Sequence, residues 1–312
     1  MLAKSPGKIT RWLGKGYSVT NDDQRRRLPG TPEPDLYLTG SGGIQLAADA
    51  WGEPGAPVVL LQHGGGQTRH AWKGTGGVLA KSGFRVYSLD ARGHGDSDWA
   101  ADGDYSQDSM IADLVAVIAG LGDPHAALVG ASMGGGVSLC AVGEQVVDTR
   151  ALVLVDTAPQ LEAAGVQRIQ DFMRQKPEGF DSLEEVAEAI ATYQPHRKRP
   201  GNLDGLRKNV RLDATGRLRW HWDPQFLERQ RGPLVERRAR MQRAAEALAS
   251  LNVPTQLVRG GLSDVLSEDG AQAFLTICPH SEYVNVTDAA HMVAGDRNDI
   301  FTDAVAEFLL RL

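Results

Sequence analysis

A serine flanked by glycines is the sequence feature with the clearest chemical meaning. Residues 130–134 read Gly-Ala-Ser-Met-Gly, after an apolar run that ends at Val129 and before small residues that suit a helix. This order predicts a strand, a very tight turn and a helix, with the hydroxyl of Ser132 at the tip of the turn. The glycines fit such a turn because a Cβ on either would collide with neighbouring backbone. The pattern indicates a nucleophile, although chance occurrence in a chain with 36 glycines is the alternative.

A nucleophilic serine needs a base that accepts its proton and a carboxylate that orients the base. His291 follows the last predicted strand, from which it would reach the end of the strand that carries Ser132. Asp264 follows the penultimate strand, and the chain order Ser132, Asp264, His291 is the one expected on such a sheet. Asp156 also ends a strand and competes for this role, with capping of the following segment as its alternative. Asp288 is nearer to His291 in sequence, but we expect it to shape the loop.

Two backbone N–H groups are required to bind the negative charge that develops on an attacked carbonyl oxygen. Met133, directly after the serine, is expected to supply one of them. Gly64 or Gly65 is expected to supply the other, because both follow the strand at residues 57–61 and glycine lets the backbone approach a substrate closely. His63 precedes these glycines, and we interpret it as a structural hydrogen-bonding residue rather than a second base.

The elements that must position these residues alternate between strands and helices. Apolar strand-like runs and helical patterns succeed one another over residues 58–155 and again over residues 255–310. Since parallel strands require crossovers, the alternation predicts an α/β fold with a mostly parallel, doubly wound sheet. Ligands bind beyond the carboxyl ends of such strands, which is where the candidate residues lie.

The sequence predicts three regions: a basic N-terminal extension (1–35), a core (36–157 and 249–312) and an inserted helical cap (158–248). The insertion contains no convincing buried strand, and residues 220–224 are interpreted as a turn between its helices. Trp220 and Trp222, with Gly64, are candidates for substrate contact, and anchoring of the cap is the alternative for the two tryptophans. The extension is interpreted as a loosely packed surface segment, with targeting or partner binding as the alternative.

Composition sets limits on partners and compartment for these 312 residues. The net charge of −6 argues against nucleic acid as the main partner. Cys140 and Cys278 lie far apart in apolar surroundings, which predicts buried free thiols in a reducing compartment. No apolar run would span a bilayer, and the N-terminus lacks the apolar core of a secretory signal, so we expect a cytoplasmic protein.

Several of these motifs together resemble the α/β-hydrolase family. They are residues 62–66, 90–97 and 130–135 and the loops of Asp264 and His291, and the resemblance extends from about residue 36 to the C-terminus. It is closest to the branch with a helical cap, which includes esterases, lactonases, carbon–carbon bond hydrolases and cofactor-free perhydrolases. The resemblance implies that Gly65 is the second oxyanion donor and that Asp90 and Arg92 brace the strand ends. Haloalkane dehalogenases and epoxide hydrolases of this fold carry aspartate where Ser132 stands, which argues against both activities.

The expected reaction is hydrolysis of a carboxylic ester or similar acyl bond through an acyl-enzyme on Ser132. His291 would transfer the protons, and neither a metal nor an organic cofactor is needed. The expected substrate is a small, apolar, ester-like molecule, and the sequence does not indicate an oligomeric state. A cofactor-free perhydrolase, which the glycines at 134–136 also fit, and a carbon–carbon bond hydrolase are alternatives on the same triad. A non-catalytic ligand-binding protein of this fold is the third alternative.

Overall fold

A mostly parallel, eight-stranded sheet forms the centre of the computed structural model, which describes residues 26–195, 202–228, 234–292 and 298–312. The strands of the chain are β1 (Leu36–Thr39), β2 (Gln45–Trp51), β3 (Val58–Gln62), β4 (Arg85–Leu89), β5 (Ala127–Ala131), β6 (Leu152–Val155), β7 (Val210–Leu212), β8 (Leu218–Trp220), β9 (Thr255–Gly260) and β10 (Glu282–Val286). The order across the main sheet is β1-β2-β4-β3-β5-β6-β9-β10. Strand β2 is antiparallel to both of its neighbours, and the remaining pairs of the main sheet, in the order β4-β3-β5-β6-β9-β10, are parallel.

Helices connect the parallel strands, as the sequence predicts. They are α1 (Lys73–Lys81), α2 (Gln107–Leu121), α3 (Met133–Gly143), α4 (Ala163–Met173), α5 (Leu183–Tyr193), α6 (Gln225–Glu228), α7 (Leu234–Leu248), α8 (Glu268–Ile277) and α9 (Asn298–Leu310). Local sequence sets their ends. Ser106 caps α2 by accepting a hydrogen bond from the N–H of Ser109 (3.2 Å), and Gly122 ends this helix with a φ of 76°. No helix among the described residues has both the length and the apolar character that a membrane crossing requires.

The central strands of the sheet are buried on both faces, which explains their continuous apolar runs. Side chains alternate between the faces, so that Val59 and Val129 lie in one cluster with Trp72 and Phe301, whose rings are 5.7 Å apart. The residues that follow these valines, Leu60 and Gly130, face the opposite side of the sheet, where Gly130 lies against Gly134 of α3. Because neither face is exposed to water, the central strands lack the polar–apolar alternation of a half-exposed strand.

A second compact unit combines Gln175–His221 with the N-terminal segment that ends at Pro32. It contains α5 and a two-stranded antiparallel sheet, in which Val210 pairs with Trp220. The expectation that the insertion holds no strand, and that Trp220 begins a turn between helices, is therefore wrong. Each strand has three residues, which is too short for a recognisable pattern, and Asp213 organises the turn between them by accepting hydrogen bonds from residues 215 and 217.

The described end of the predicted N-terminal extension is part of this second unit. Arg26 exchanges backbone hydrogen bonds of 3.2 and 2.8 Å with Leu212 of β7. Arg207 donates a further hydrogen bond of 2.9 Å to the carbonyl of Pro29. Residues 1–25, which carry most of the predicted basic character, lie outside the described residues. The part that is described makes specific backbone pairings rather than the loose contacts that the sequence suggested.

Candidate active site

Ser132 occupies the tight turn between β5 and α3. Its φ of 46° and ψ of −106° are sparsely populated for a residue with a side chain and cost about 1–3 kcal/mol. The turn is held by the Ser132 N–H, which donates to the Val155 carbonyl (3.0 Å), and by the Ser132 carbonyl, which accepts from the Gly136 N–H (2.9 Å). Backbone strain of this kind, fixed by the surrounding structure, keeps the hydroxyl at the end of the strand.

Three glycines around this turn leave no space for a side chain. A Cβ on Gly130 would lie 2.5 Å from backbone atoms of Gly134, and one on Gly134 would lie 2.6 Å from the backbone oxygen of Gln62. A Cβ on Gly135 would lie 2.5 Å from Thr157. The next residue differs, because a Cβ on Gly136 would make only an ordinary contact, 3.5 Å from the sulfur of Met241.

This difference predicts opposite effects for two neighbouring substitutions. Gly134→Ala should lower the free energy of unfolding by about 1–3 kcal/mol, because the added methyl forces the turn and β3 apart. Gly136→Ala is the matched control and should be neutral or raise the free energy of unfolding by about 0.5–1 kcal/mol, since alanine favours helix over glycine. Urea unfolding followed by circular dichroism measures both, and equal stabilities of the two variants would contradict the packing argument.

His291 is hydrogen-bonded to Asp156. The distance from His291 Nδ1 to Asp156 Oδ2 is 2.6 Å, and the carboxylate is fully buried. Asp156 also accepts from the N–H of Gly260 (2.9 Å) and from the hydroxyl of Ser263 (2.5 Å), so three donors fix its orientation. Because β5 and β6 are paired in parallel, Asp156 and Ser132 follow adjacent strands at the same edge of the sheet.

The structure corrects the expectation that Asp264 orients His291. Asp264 instead forms an ion pair of 2.7 Å with Arg168, and its side chain is 38% exposed. The loop after β9 turns the side chain of Ser263 toward the carboxylate of Asp156. The side chain of Asp264, the next residue, therefore faces Arg168 of α4. Asp156, considered from sequence as the competitor, is therefore the carboxylate on the imidazole. Ser263 was not recognised from the sequence, where nothing but its place beside Asp264 distinguishes it.

The hydroxyl of Ser132 makes no hydrogen bond to any residue that the structure describes. The His291–Asp156 pair is thus formed, whereas the link from His291 to the hydroxyl is not. Hydrogen bonds between a catalytic base and its nucleophile are often long without substrate and shorten when the substrate binds. A histidine held by a buried carboxylate therefore lies at the edge of the sheet that also carries the strained turn of Ser132.

Hydrogen bonds of the backbone N–H groups in the loop after β3 distinguish between Gly64 and Gly65, the two candidates for the second oxyanion donor. The N–H of Gly64 donates to the side chain of Gln67 (2.9 Å), and that of Gly66 donates to His94 Nε2 (3.1 Å). Neither the N–H of Gly65 nor that of Met133 has an acceptor in the described part of the chain. A Cβ on Gly64 would lie 3.3 Å from the Cβ of Ser132, so this loop passes directly beside the serine.

His63 stabilises the loop after β3 through hydrogen bonds of its ring. His63 Nε2 accepts from the N–H of Ala91 (3.0 Å), so the ring carries its proton on Nδ1, which donates to the carbonyl of Gly64 (2.7 Å). Burial lowers the pKa of His63 and keeps the ring neutral, although the charge of Asp90 opposes the shift. These contacts fit the interpretation of His63 as a structural residue.

Apolar side chains that the sequence did not single out lie against this loop. A Cβ on Gly65 would lie 3.9 Å from the ring of Phe226, and one on Gly66 would lie 3.3 Å from the Met173 side chain. Phe226 also packs edge-on against His94, with ring centroids 4.5 Å apart. Both side chains come from residues 158–248, where substrate contacts were expected, but no local pattern marks them.

The two tryptophans predicted to contact substrate are buried by their neighbours. Trp220 is 8% exposed, and its ring lies edge-on to Phe180 at 4.8 Å within the smaller unit. Trp222 is 4% exposed and lies in the larger unit, 6.4 Å from the ring of Phe172. These ring contacts support packing roles rather than the expected substrate wall.

Charged side chains brace the strand ends below the site. Asp90 accepts two hydrogen bonds of 2.6 Å from Arg69, and Arg92 binds both carboxylate oxygens of Asp113 at 2.6 and 2.7 Å. Burial lowers the pKa of Arg69, but the neighbouring carboxylates of Asp90 and Asp49 outweigh it and raise the pKa overall. Asp90 and Arg92 thus have the structural roles that the family resemblance implies, and Arg69 is an unpredicted part of the same network.

Known proteins of similar sequence and structure share this architecture. A family model described as the alpha/beta hydrolase fold matches residues 57–297. The chain is 27% identical over 268 residues to a 3-hydroxybutyrate-oligomer hydrolase of Cupriavidus necator, covering 81% of this chain and 89% of the relative. It is also 27% identical over 274 residues to an esterase of Mycobacterium tuberculosis, covering 85% of this chain and 86% of the relative.

Among solved structures, the crystal structure of an alpha/beta hydrolase from Novosphingobium aromaticivorans superposes with a TM-score of 0.75. The superposition covers 91% of this chain and 100% of that chain at 24% sequence identity, so it bears on the fold alone. The extent of the family match and the sequence relatives together decide the classification. The chain belongs to the α/β-hydrolase family and is one of its hydrolytic enzymes.

Proposed function

We propose that this protein is a serine hydrolase that cleaves carboxylic esters through an acyl-enzyme on Ser132. The observation that carries the proposal is the hydrogen bond of 2.6 Å between His291 and the buried carboxylate of Asp156, at the same edge of the sheet as the strained turn of Ser132. A serine hydroxyl is a poor nucleophile at neutral pH, and an oriented histidine is what makes it reactive.

Proton transfer to His291 is the first event in this mechanism. Because Nδ1 of His291 faces a carboxylate, the ring proton resides on Nδ1, and Nε2 is left to accept the proton of Ser132. The Ser132 oxygen then bonds to the carbonyl carbon of the ester, and the electron pair of the C=O double bond moves to its oxygen. The carboxylate of Asp156 stabilises the imidazolium and stays ionised throughout.

The N–H groups of Gly65 and Met133 bind the resulting oxyanion. Met133 directly follows Ser132, and Gly65 follows Gly64, which lies beside Ser132; neither N–H has an acceptor in the described part of the chain, so both are available to the developing charge. Losing one such donor typically costs a factor of about 10²–10³ in kcat. Met133 is also the first residue of α3, and the positive end of the helix dipole favours negative charge at this point.

Collapse of the tetrahedral intermediate releases the alcohol. The carbon–oxygen bond to the leaving group breaks, and the departing alkoxide takes the proton from His291 Nε2. Water then attacks the acyl-enzyme while His291 accepts one of its protons, and the returning proton restores the hydroxyl of Ser132 as the acid leaves. These steps use protein groups and water alone.

The substrate we propose is a small ester whose apolar portion lies next to the loop after β3. Met173 and Phe226 line this loop, and both are apolar. Two relatives of similar length also point to ester chemistry, since one is named an esterase and the other a hydrolase of 3-hydroxybutyrate oligomers. Oligomers of a hydroxy acid are linked by esters, so both names are consistent with attack on an ester carbonyl.

Labelling with a fluorophosphonate probe tests the proposal, because such probes bond to activated serines only. We expect the label on the tryptic peptide that contains Ser132, located by mass spectrometry, and competition by p-nitrophenyl butyrate. Heat-denatured protein and a His291→Ala variant are the controls and should remain unlabelled, since both lose the base. Labelling of a different serine, or none in folded protein that also fails to hydrolyse the ester, would contradict the proposal.

A further inference from the structure

Arg237 lies on α7, and its side chain is half-buried. Its Nε atom is sealed from solvent and has no hydrogen-bond partner, and no ion pair joins its guanidinium to any carboxylate of the described chain. Burial lowers the pKa of Arg237, and the neighbouring charge of Arg238 acts in the same direction. A buried N–H without an acceptor is unfavourable, and no residue that the structure describes supplies an acceptor for Nε of Arg237.

The other half-buried arginines of the same helix have partners, whereas Arg243 is exposed and forms no hydrogen bond or ion pair with the described residues. Arg240 binds both oxygens of Glu144 at 2.6 and 2.8 Å and also contacts Asp108 at 2.6 Å. Arg238 donates to the carbonyl of Leu161. Among the four arginines of α7, only Arg237 is half-buried and also lacks a hydrogen bond or ion pair to the described residues.

Packing between α7 and α3 places Arg237 near the level of the nucleophile. Met241 contacts Gly136 near the start of α3, and Ala244 contacts Gly143 near its end, so the two helices run in the same general direction. Residues four apart share a helix face, which puts Arg237 one turn before Met241 on the face toward α3. Ser132 likewise lies one turn before Gly136, whose N–H donates to the carbonyl of Ser132.

We propose that Arg237 binds a carboxylate carried by the substrate. This inference rests on the proposed ester hydrolysis at Ser132 and specifies its substrate class as esters with a carboxylate in the same molecule. Packed helices lie about 8–10 Å apart, and an extended arginine spans most of that distance. A carboxylate separated from the scissile carbonyl by a short carbon chain would then reach the guanidinium while the carbonyl lies at Ser132. Half-esters of dicarboxylic acids and oligomers of hydroxy acids both have this form.

Two activated esters that differ only in charge test the inference by activity. They are p-nitrophenyl hemiglutarate, whose acyl chain ends in a carboxylate, and its terminal amide, which has nearly the same shape. The wild-type protein should have the higher kcat/KM for the anionic ester. Arg237→Gln should lower the ratio of the two kcat/KM values by about ten- to hundred-fold, the range for loss of hydrogen bonds to a charged group. Arg237→Lys keeps the positive charge but cannot donate two hydrogen bonds to a carboxylate in the bidentate geometry of arginine. Its ratio of the two kcat/KM values should therefore be intermediate.

Arg243→Gln is the matched control, because Arg243 lies on the same helix, is exposed, and carries the same charge. This substitution should leave the ratio as it is in the wild type. A wild-type protein that hydrolyses both esters equally, or an Arg237→Gln variant with an unchanged ratio, would overturn the inference and leave the proposed ester hydrolysis standing.

Calorimetric titration with glutarate monoamide separates the inference from the proposed function, since it measures binding without turnover. The dissociation constant should rise at least about ten-fold in Arg237→Gln and stay near the wild-type value in Arg243→Gln. If this result appears in a protein that hydrolyses no ester, the carboxylate site stands and the proposed function is wrong. Equal affinity in the wild type and Arg237→Gln would refute the site.

Discussion

Ser132→Ala should abolish ester hydrolysis while the protein remains folded. Removing the nucleophile of a serine hydrolase lowers kcat by about 10⁴- to 10⁶-fold, and the activity that remains comes from binding and the oxyanion donors. The fold should tolerate the change because the Ser132 hydroxyl makes no hydrogen bond to the described residues, and because alanine adds no atoms to the turn. Hydrolysis of p-nitrophenyl butyrate gives kcat, and thermal unfolding followed by circular dichroism gives the stability.

Ser82→Ala is a suitable control for this prediction. Ser82 follows α1, and its hydroxyl donates to the carbonyl of Val78 at 3.1 Å, away from the strand ends that carry the site. This variant should keep the wild-type kcat. If Ser132→Ala hydrolyses the ester at a rate near that of the wild type, the nucleophile is another group and the acyl-enzyme mechanism has to be abandoned.

The tight turn at Ser132 and the central sheet were predictable from the sequence because each depends on local rules. A strand buried on both faces has to be apolar at every position, and β3, β5 and β6 are recognisable on that basis. The turn at Ser132 requires glycines at positions where a Cβ would overlap backbone, and the sequence has glycines there. These local requirements also fix the end of the sheet at which the reactive groups lie.

The choice between Asp156 and Asp264 was beyond sequence reasoning. Strands β6 and β9 are neighbours in the sheet, so a carboxylate after either strand is at the correct edge. The path of the loop after β9 determines which carboxylate contacts His291, because it turns Ser263 toward Asp156 and Asp264 toward Arg168. Which of two consecutive loop residues faces the site cannot be recognised from hydrophobic pattern or composition.

The apolar neighbours of the loop after β3 were missed for a related reason. Met173 ends α4, and Phe226 lies in the four-residue helix α6, so they approach residues 65 and 66 from distant parts of the chain. A buried hydrogen bond between Tyr105 and Asp223 (2.5 Å) holds the segment that carries Phe226. Such contacts follow from the tertiary path of the insertion, whereas sequence patterns report on single elements.

Asp156→Asn should lower kcat by about 10⁴-fold, the typical cost of placing an amide where a triad carboxylate orients the histidine. An asparagine retains the shape and can still accept the hydrogen bond from Gly260, so the fold should persist. It lacks the charge that stabilises the imidazolium, and its NH₂ group favours the tautomer with the proton on Nε2, which then cannot accept the proton of Ser132. The loss should appear in kcat more than in KM, because Asp156 is buried behind His291.

Asp264→Asn is the matched substitution that makes this prediction decisive. The two changes are chemically identical, and both aspartates follow neighbouring strands, but Asp264 belongs to a partly exposed ion pair with Arg168. Breaking such a pair costs about 1 kcal/mol of stability or less, so the second variant should keep most of its kcat. A large loss in Asp264→Asn together with near-normal turnover in Asp156→Asn would mean that the loop after β9 rearranges during the reaction. Comparable large losses in both variants would mean instead that the Asp264–Arg168 pair holds Ser263 against Asp156, since Ser263 immediately precedes Asp264.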